Sequence, residues 1–246
     1  MTSSTLKKTI IAFSALAMLA LGGCSATHTA IKKRNLDVQT KMSDTVFLDP
    51  VPPEQMVVYL QIRNTSDKQD LNVRSAIENR VVQRGYRITK NPNEAHYMVQ
   101  ANILQVGKVD KREAEGMLQS GYGAGLTGAV IGAGGFGSGK GSLATGLIGA
   151  AIGVAADAMV EDVYYTMVTD LQLSERAEEG VVVTENNSAS LKQGNSGAKS
   201  VSSSKKTQWH RYQTRIVSTA NKVNLEFPEA LPSLEKGLID SISGIL

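Results

Sequence analysis

One thiol and three imidazoles carry most of the reactive chemistry this chain can offer. Cys24 is the only cysteine in 246 residues, and the histidines are His28, His96 and His210. A thiolate is a strong nucleophile and a soft metal ligand. A single one, however, makes neither an internal disulfide nor a cysteine metal centre. The histidines are far apart: His28 closely follows Cys24, while His96 and His210 fall in β-rich stretches where a surface or half-buried role is expected. H-E-x-x-H and G-x-S-x-G are absent. Two glycine motifs imitate nucleotide sites. Gly123 to Gly128 spells G-x-G-x-x-G, but the charged run Lys111 to Gly116 precedes it and no acid follows until Asp157, so the strand and ribose partner of a dinucleotide site are missing. Gly134 to Lys140 spells G-x-x-x-x-G-K, but Gly141 stands where the metal-binding hydroxyl belongs. The neighbouring carboxylates Glu161 and Asp162 do not share a face as an acid–base pair would. They read as solvated charges at the end of an apolar segment. The expectation is a protein that is not an enzyme and holds no dissociable cofactor.

The residues before Cys24 say what its thiol is for. Lys7 and Lys8 form a positive start, Ile10 to Leu21 an apolar run too short to span a membrane comfortably, and Gly22-Gly23 a small pair that fits a peptidase groove. This order resembles a lipobox of the bacterial lipoprotein pathway, in which the thiol takes a diacylglycerol before cleavage between Gly23 and Cys24. The resemblance implies a signal peptide at 1–23, a covalent lipid on Cys24 and a tether over 24–50. A processed bacterial lipoprotein carries three acyl chains, and one alone would anchor only marginally. Ser25, where such lipoproteins use Asp for inner-membrane retention, implies export to the outer membrane. Loss of Lys7 and Lys8 takes the basic count from 26 to 24 against 23 acids. That near-neutral balance argues against a nucleic-acid partner.

Residues 121–153 form a second unusual segment. Thirteen of these 33 residues are glycine and the only charge is Lys140. Two apolar arms, Gly121 to Gly135 and Leu143 to Val160, flank the turn Phe136-Gly137-Ser138-Gly139-Lys140-Gly141-Ser142. Small residues recur at every fourth position at Ala124, Gly128 and Gly132, and again at Gly149 and Gly153. That spacing makes a smooth helix face on which backbones approach closely. In water each helical glycine costs about 1 kcal/mol relative to alanine, a cost better tolerated where backbone groups cannot bond to solvent. The reading is a membrane-associated helical hairpin over 121–160, inserted in a domain spanning 51–246.

The remainder reads as α+β: a mainly antiparallel sheet with packed helices. Val57 to Ile62 is a strand, and Asn64 to Asp67 offers cap oxygens for a helix carrying Val73, Ile77 and Val81, with Gly85 past its end. Tyr86 to Ile88 begins a second strand, and Tyr97, Val99, Ala101 and Ile103 alternate in a third. Val163, Tyr165, Met167, Leu171 and Leu173 alternate again. Leu191 to Lys206, rich in Ser, Gly, Lys and Asn, reads as an exposed loop. Trp209 to Thr219 is a further strand. Leu231, Leu234, Leu238, Ile242 and Ile245 mark a terminal helix, with Pro228 and Pro232 near its start.

Four runs, Thr29 to Leu36, Leu60 to Lys68, Ala155 to Val163 and Ala220 to Leu225, resemble the TraT family of plasmid-encoded outer-membrane lipoproteins. The resemblance covers nearly the whole mature chain. It implies surface exclusion, the refusal of redundant plasmid entry, with a side role in complement resistance. It further implies homo-oligomers, part of the chain exposed at the cell surface, and a pilus or donor-cell surface component as partner. On this reading the turn Phe136 to Ser142 is the candidate determinant of exclusion specificity. The rival is a structural glycine-zipper envelope lipoprotein with no extracellular partner.

Overall fold

Alternation of buried and exposed positions builds the sheet. In β4 (Tyr97–Lys108) Tyr97, Val99, Ala101 and Ile103 are buried, and in β5 (Asp162–Arg176) Val163, Met167, Leu171 and Leu173 are, as expected where one face of a pleated strand packs on a core. The computed structural model describes residues 32–109, 111–124, 161–193 and 197–246. Beside β4 and β5 it contains β1 (Asp37–Met42), β2 (Val57–Asn64), β3 (Arg87–Thr89), β6 (Val183–Gln193), β7 (Gly197–Thr207) and β8 (Trp209–Val223). The helices are α1 (Arg74–Gln83), α2 (Lys111–Gln119) and α3 (Phe227–Ile245). The main sheet has the order β1-β8-β5-β4-β2-β3. Its three pairings around β8 and β5 are antiparallel, whereas β2 runs parallel to both β3 and β4. The fold is therefore α+β with a mixed, mainly antiparallel sheet.

Helices cover both faces. The first face packs Ile77 and Val81 of α1 and Leu234, Leu238 and Ile242 of α3 against Val99, Ile103, Met167, Leu171 and Ile216. The second is closed by α2, whose Ala114 and Met117 meet Val109, Val168 and Val217. A bulge serves both. Ile103 pairs with Thr169 and Gln105 with Val168, so Leu104 is the extra residue and packs in the second cluster, while Val106 returns to the first. Farther along that second face four glutamines hydrogen-bond in a row. Gln213 donates to Gln172 (2.8 Å), Gln172 to Gln100 (2.8 Å) and Gln100 to Gln61 (2.6 Å).

The helix α3 lies close to β1 and β8 because position 237 has no side chain. A Cβ there would overlap Thr40 Oγ1 and come within 2.9 Å of Ser218 Oγ. Gly237→Leu is expected to destabilise by about 1–3 kcal/mol or more through overpacking, read as a lowered urea midpoint at unchanged slope.

Three local readings are corrected. Asn64 to Asp67 do not cap α1, which starts at Arg74 after Val73 with no side-chain cap bond. Their polar atoms are spent locally: Asn64 Oδ1 accepts from Ser66 N–H (3.0 Å), and Ser66 Oγ from Lys68 N–H (3.2 Å), the turn competing with the helix. Within Leu191 to Lys206, read as a loop, 191–193 and 197–206 are strand; they belong to the hairpin β6–β7, paired from Val183↔Thr207 to Gln193↔Gly197. Its backbone ladder forms although its composition lacks strand signals. The charged run Lys111 to Gly116 is helical and forms the first two thirds of α2. The glycine-rich hairpin falls outside the described residues except at its first few positions. No described helix is long and apolar enough to cross a membrane.

Candidate functional site: the foot of the glycine-rich insertion

The described residues stop at Ala124 and resume at Glu161, on either side of the glycine-rich segment. Each foot is built by its own polar cluster. At the outgoing foot, Asp170 on β5 and Arg215 on β8 stand opposite each other in register. Arg215 has no exposed side-chain surface and is the largest fully buried side chain described. Its Nε donates to Asp170 Oδ1 at 2.7 Å and its Nη2 to Oδ2 at 3.0 Å. This is the paired fork geometry in which arginine and carboxylate bind most strongly.

The remaining donors reach the outgoing chain. Nη1 donates to Ser120 Oγ at 2.8 Å and Met117 O at 3.3 Å, and Nη2 to Ala124 O at 2.8 Å. Asp170 Oδ2 also accepts the Gly123 N–H at 2.9 Å. Two bends make this possible: Gly121 and Gly123 both have φ near +72°, a region that a Cβ disfavours. The ion pair thus takes the C-terminal end of α2 and the first residues of the insertion into one hydrogen-bond set.

At the returning foot, Glu161 exchanges two bonds with Asn224: Glu161 N–H to Asn224 Oδ1 and Asn224 N–H to Glu161 O, each 2.8 Å. Lys108 Nζ lies 2.5 Å from Glu161 Oε1, so this carboxylate is a paired surface charge. Its neighbour Asp162 accepts from Asn221 Nδ2 at 2.5 Å. The chain arriving from the N-terminus docks at the same end: Val223 N–H donates to Lys33 O at 2.9 Å, and Lys33 Nζ reaches Tyr164 OH at 3.1 Å and Asn221 Oδ1. The tether and the returning insertion therefore meet at one end of the sheet. The outgoing foot lies eight residues along β5 from Asp162, roughly 26 Å at the rise of a strand. The two feet are well separated.

The opposite end of the sheet holds a cleft of about 1010 Å³ in which His96, His210, Glu175 and Tyr212 come together. The structure thereby unites two histidines that the sequence separates. Glu175 is 5% exposed; it accepts from Tyr212 OH (3.2 Å) and Asp49 N–H (3.3 Å). Burial pushes its carboxyl above the usual range, against these two bonds. Burial, then the Arg176 charge, lowers the His96 imidazole, whose ring stands edge-on to Tyr97 at 4.6 Å. The described lining contains no Ser, Thr or Cys. No group of three His, Cys, Asp or Glu residues among the described residues is placed to hold a metal.

A carboxyl raised in the folded state favours folding relative to its charged form only at low pH. The penalty on ionised Glu175 is absent below the unfolded value near about pH 4 and grows as pH rises through the folded value. Glu175→Gln is therefore expected to stabilise the protein at pH 7 and to give no gain at pH 4, measured by urea unfolding at both.

Of the residues read from sequence as functional, only Ala124 is described; it supplies the carbonyl held by Arg215. Gly23, Cys24, Gly128, Gly132, Phe136 to Ser142, Gly149 and Gly153 lie outside the described residues. Asp170 and Arg215 were missed. Their signal is a lone charge inside each of two β-rich runs, Val168-Thr169-Asp170-Leu171 and Thr214-Arg215-Ile216-Val217. Charges on an otherwise buried strand require partners.

Fold and foot together define a mixed-sheet α+β domain interrupted by one glycine-rich insertion that a buried ion pair fastens. The chain belongs to the TraT family: the family model described as Enterobacterial TraT complement resistance protein matches residues 35–246. Relatives named TraT complement resistance protein include one from Escherichia coli, 47% identical over 98% of this chain and 99% of its own. Another from Escherichia coli strain K12 is 48% identical over 93% of each. One from Wigglesworthia glossinidia brevipalpis is 32% identical over 91% of this chain and 90% of its own.

Proposed function

We propose that this chain is an outer-membrane lipoprotein, lipidated on Cys24, that protects its host from complement and excludes redundant conjugative plasmids. The carrying observation is the 47% identity to a TraT complement resistance protein across 98% of this chain and 99% of the relative. Near-complete coverage of both chains favours a shared role for the whole molecule over a borrowed domain. Such a role places part of the chain at the cell surface. The sequence reading supplies the anchor, and the small-residue faces of 121–160 favour packing of several copies into a homo-oligomer. No catalysis and no dissociable cofactor enter this reading. Phe136 to Ser142 is the proposed specificity turn.

The test is expression in a plasmid-free Gram-negative recipient. Expected are higher survival in serum and fewer transconjugants when the donor carries the cognate plasmid. Serum protection without exclusion would limit the role to complement. Neither effect, with normal outer-membrane levels, would leave the structural envelope lipoprotein instead. Replacing Phe136 to Ser142 by a relative's turn should transfer exclusion specificity; unchanged specificity at normal surface levels would remove the turn from the mechanism.

A further inference from the structure

The hairpin β6–β7 stands apart from the main sheet as a separate two-stranded sheet. The Arg211–Glu185 ion pair joins it to β8. An isolated two-stranded hairpin is marginal in water unless something packs on it. Each strand has eleven residues, a reach of roughly 36 Å. By sequence the pair carries Lys192, Lys199, Lys205 and Lys206 against Glu185 alone, and that carboxylate is already spent on Arg211. Lys205 and Lys206 are exposed.

The cleft at the end of the sheet has the complementary charge. Asp49, Glu54, Glu94, Glu175, Glu178 and Glu179 line it, against Arg87 and Arg176. The Arg176 guanidinium is occupied: it donates to Ala95 O (2.9 Å) and Asn93 O (2.9 Å) and lies 4.5 Å from the Trp209 ring centre. Hairpin and cleft also share a border. Val181, two residues before the hairpin, and Gln208, directly after it, both line the cleft. Val181 and Val182 at that border are 45% and 61% exposed, apolar surface that a partner would cover.

We propose that the β6–β7 hairpin of one copy docks in the acidic cleft of a second copy. Because hairpin and cleft are different surfaces, the contact is head-to-tail, and repeated around an axis it closes a ring. The inference rests on the homo-oligomer reading above and adds the surfaces that make the contact.

Full-length chain carrying Ser204→Cys on the hairpin is co-expressed with a differently tagged chain carrying Glu54→Cys in the cleft, and outer membranes are oxidised. A disulfide-linked band bearing both tags is expected. Lys205→Glu with Lys206→Glu should reduce it at least tenfold, and Glu178→Lys with Glu179→Lys in the partner should restore it. The restored band also shows that the reversed chains fold. Size in mild detergent is measured alongside. An oligomer that never gives the mixed band overturns the docking and leaves the oligomer reading standing. A monomer overturns both. A chain carrying both cysteines that closes only on itself places the hairpin in its own cleft and overturns the exchange.

Discussion

Arg215→Met will lower the stability of the body by about 3–5 kcal/mol, the usual cost of removing one partner of a buried ion pair. The loss is large because of what remains. The Asp170 carboxylate, 11% exposed, would be left with only the Gly123 N–H still donating to it among the bonds found at the foot. Met117 O would retain Ser120 Oγ at 2.8 Å, but Ala124 O would lose its guanidinium donor. A domain of this kind has about 5–15 kcal/mol in total, so the variant approaches the limit of folding at body temperature. Arg215→Lys should recover only part, because an ammonium cannot give the planar pair of bonds to Asp170 together with those to Ser120 and Ala124. Arg215→Met combined with Asp170→Leu should cost less than the sum of the single changes, since no buried charge is left alone. Urea unfolding of a non-lipidated form measures all three. Limited proteolysis supplies the local readout: in Arg215→Lys, cleavage between Met117 and Ala124 should rise before the sheet melts. Equal protection there would show that the guanidinium holds the sheet and not the foot of the insertion.

The parts of the fold legible in the sequence are those where one physical signal dominates. Period-two alternation marks β4 and β5, and spacing by three and four marks α3. Gly85, at φ +94°, sits past the end of α1 as read. The missed pieces are those in which signals compete or come from afar. The six residues of β1 have little apolar pattern; they are held by backbone pairing to β8 from Asp37↔Asn221 to Met42↔Ile216, and no local rule sees that partner. The polar strands β6 and β7 carry the composition of a loop. The helix α2 looks like a charged run because only Ala114 and Met117 are buried among its described side chains. At the foot, Arg215 and Asp170 are 45 residues apart in sequence, and the register of β5 and β8 alone makes them neighbours. Chemistry that depends on register is invisible until the ladder is known. The same holds for Glu175 and His210, which face each other across that pair of strands.

Replacing Cys24 by serine should have the largest cellular effect of any single change: loss of lipid labelling, loss of signal cleavage and at least a tenfold fall in outer-membrane protein. A hydroxyl is a far weaker nucleophile than a thiolate at neutral pH, so the diacylglycerol transfer that precedes cleavage would fail. The energetic consequence follows from chain number. One acyl chain binds a membrane only marginally, whereas two or three hold it effectively for the life of the cell, each buried methylene adding about 0.8 kcal/mol. Among the described residues no helix is long and apolar enough to cross a membrane. Lys33 docks on Tyr164 and Asn221 at the end of the sheet where Glu161 returns, so in the lipidated protein the tether and the insertion would approach the membrane together. Cys24→Ser removes the proposed lipid attachment, and deletion of 125–160 the proposed attachment through the glycine-rich segment. Fractionation of both variants, with palmitate labelling, separates their contributions. A Cys24→Ser chain that still labels or is still processed would remove the lipobox reading. One that loses label yet stays in the outer membrane would assign the anchoring to the glycine-rich segment instead.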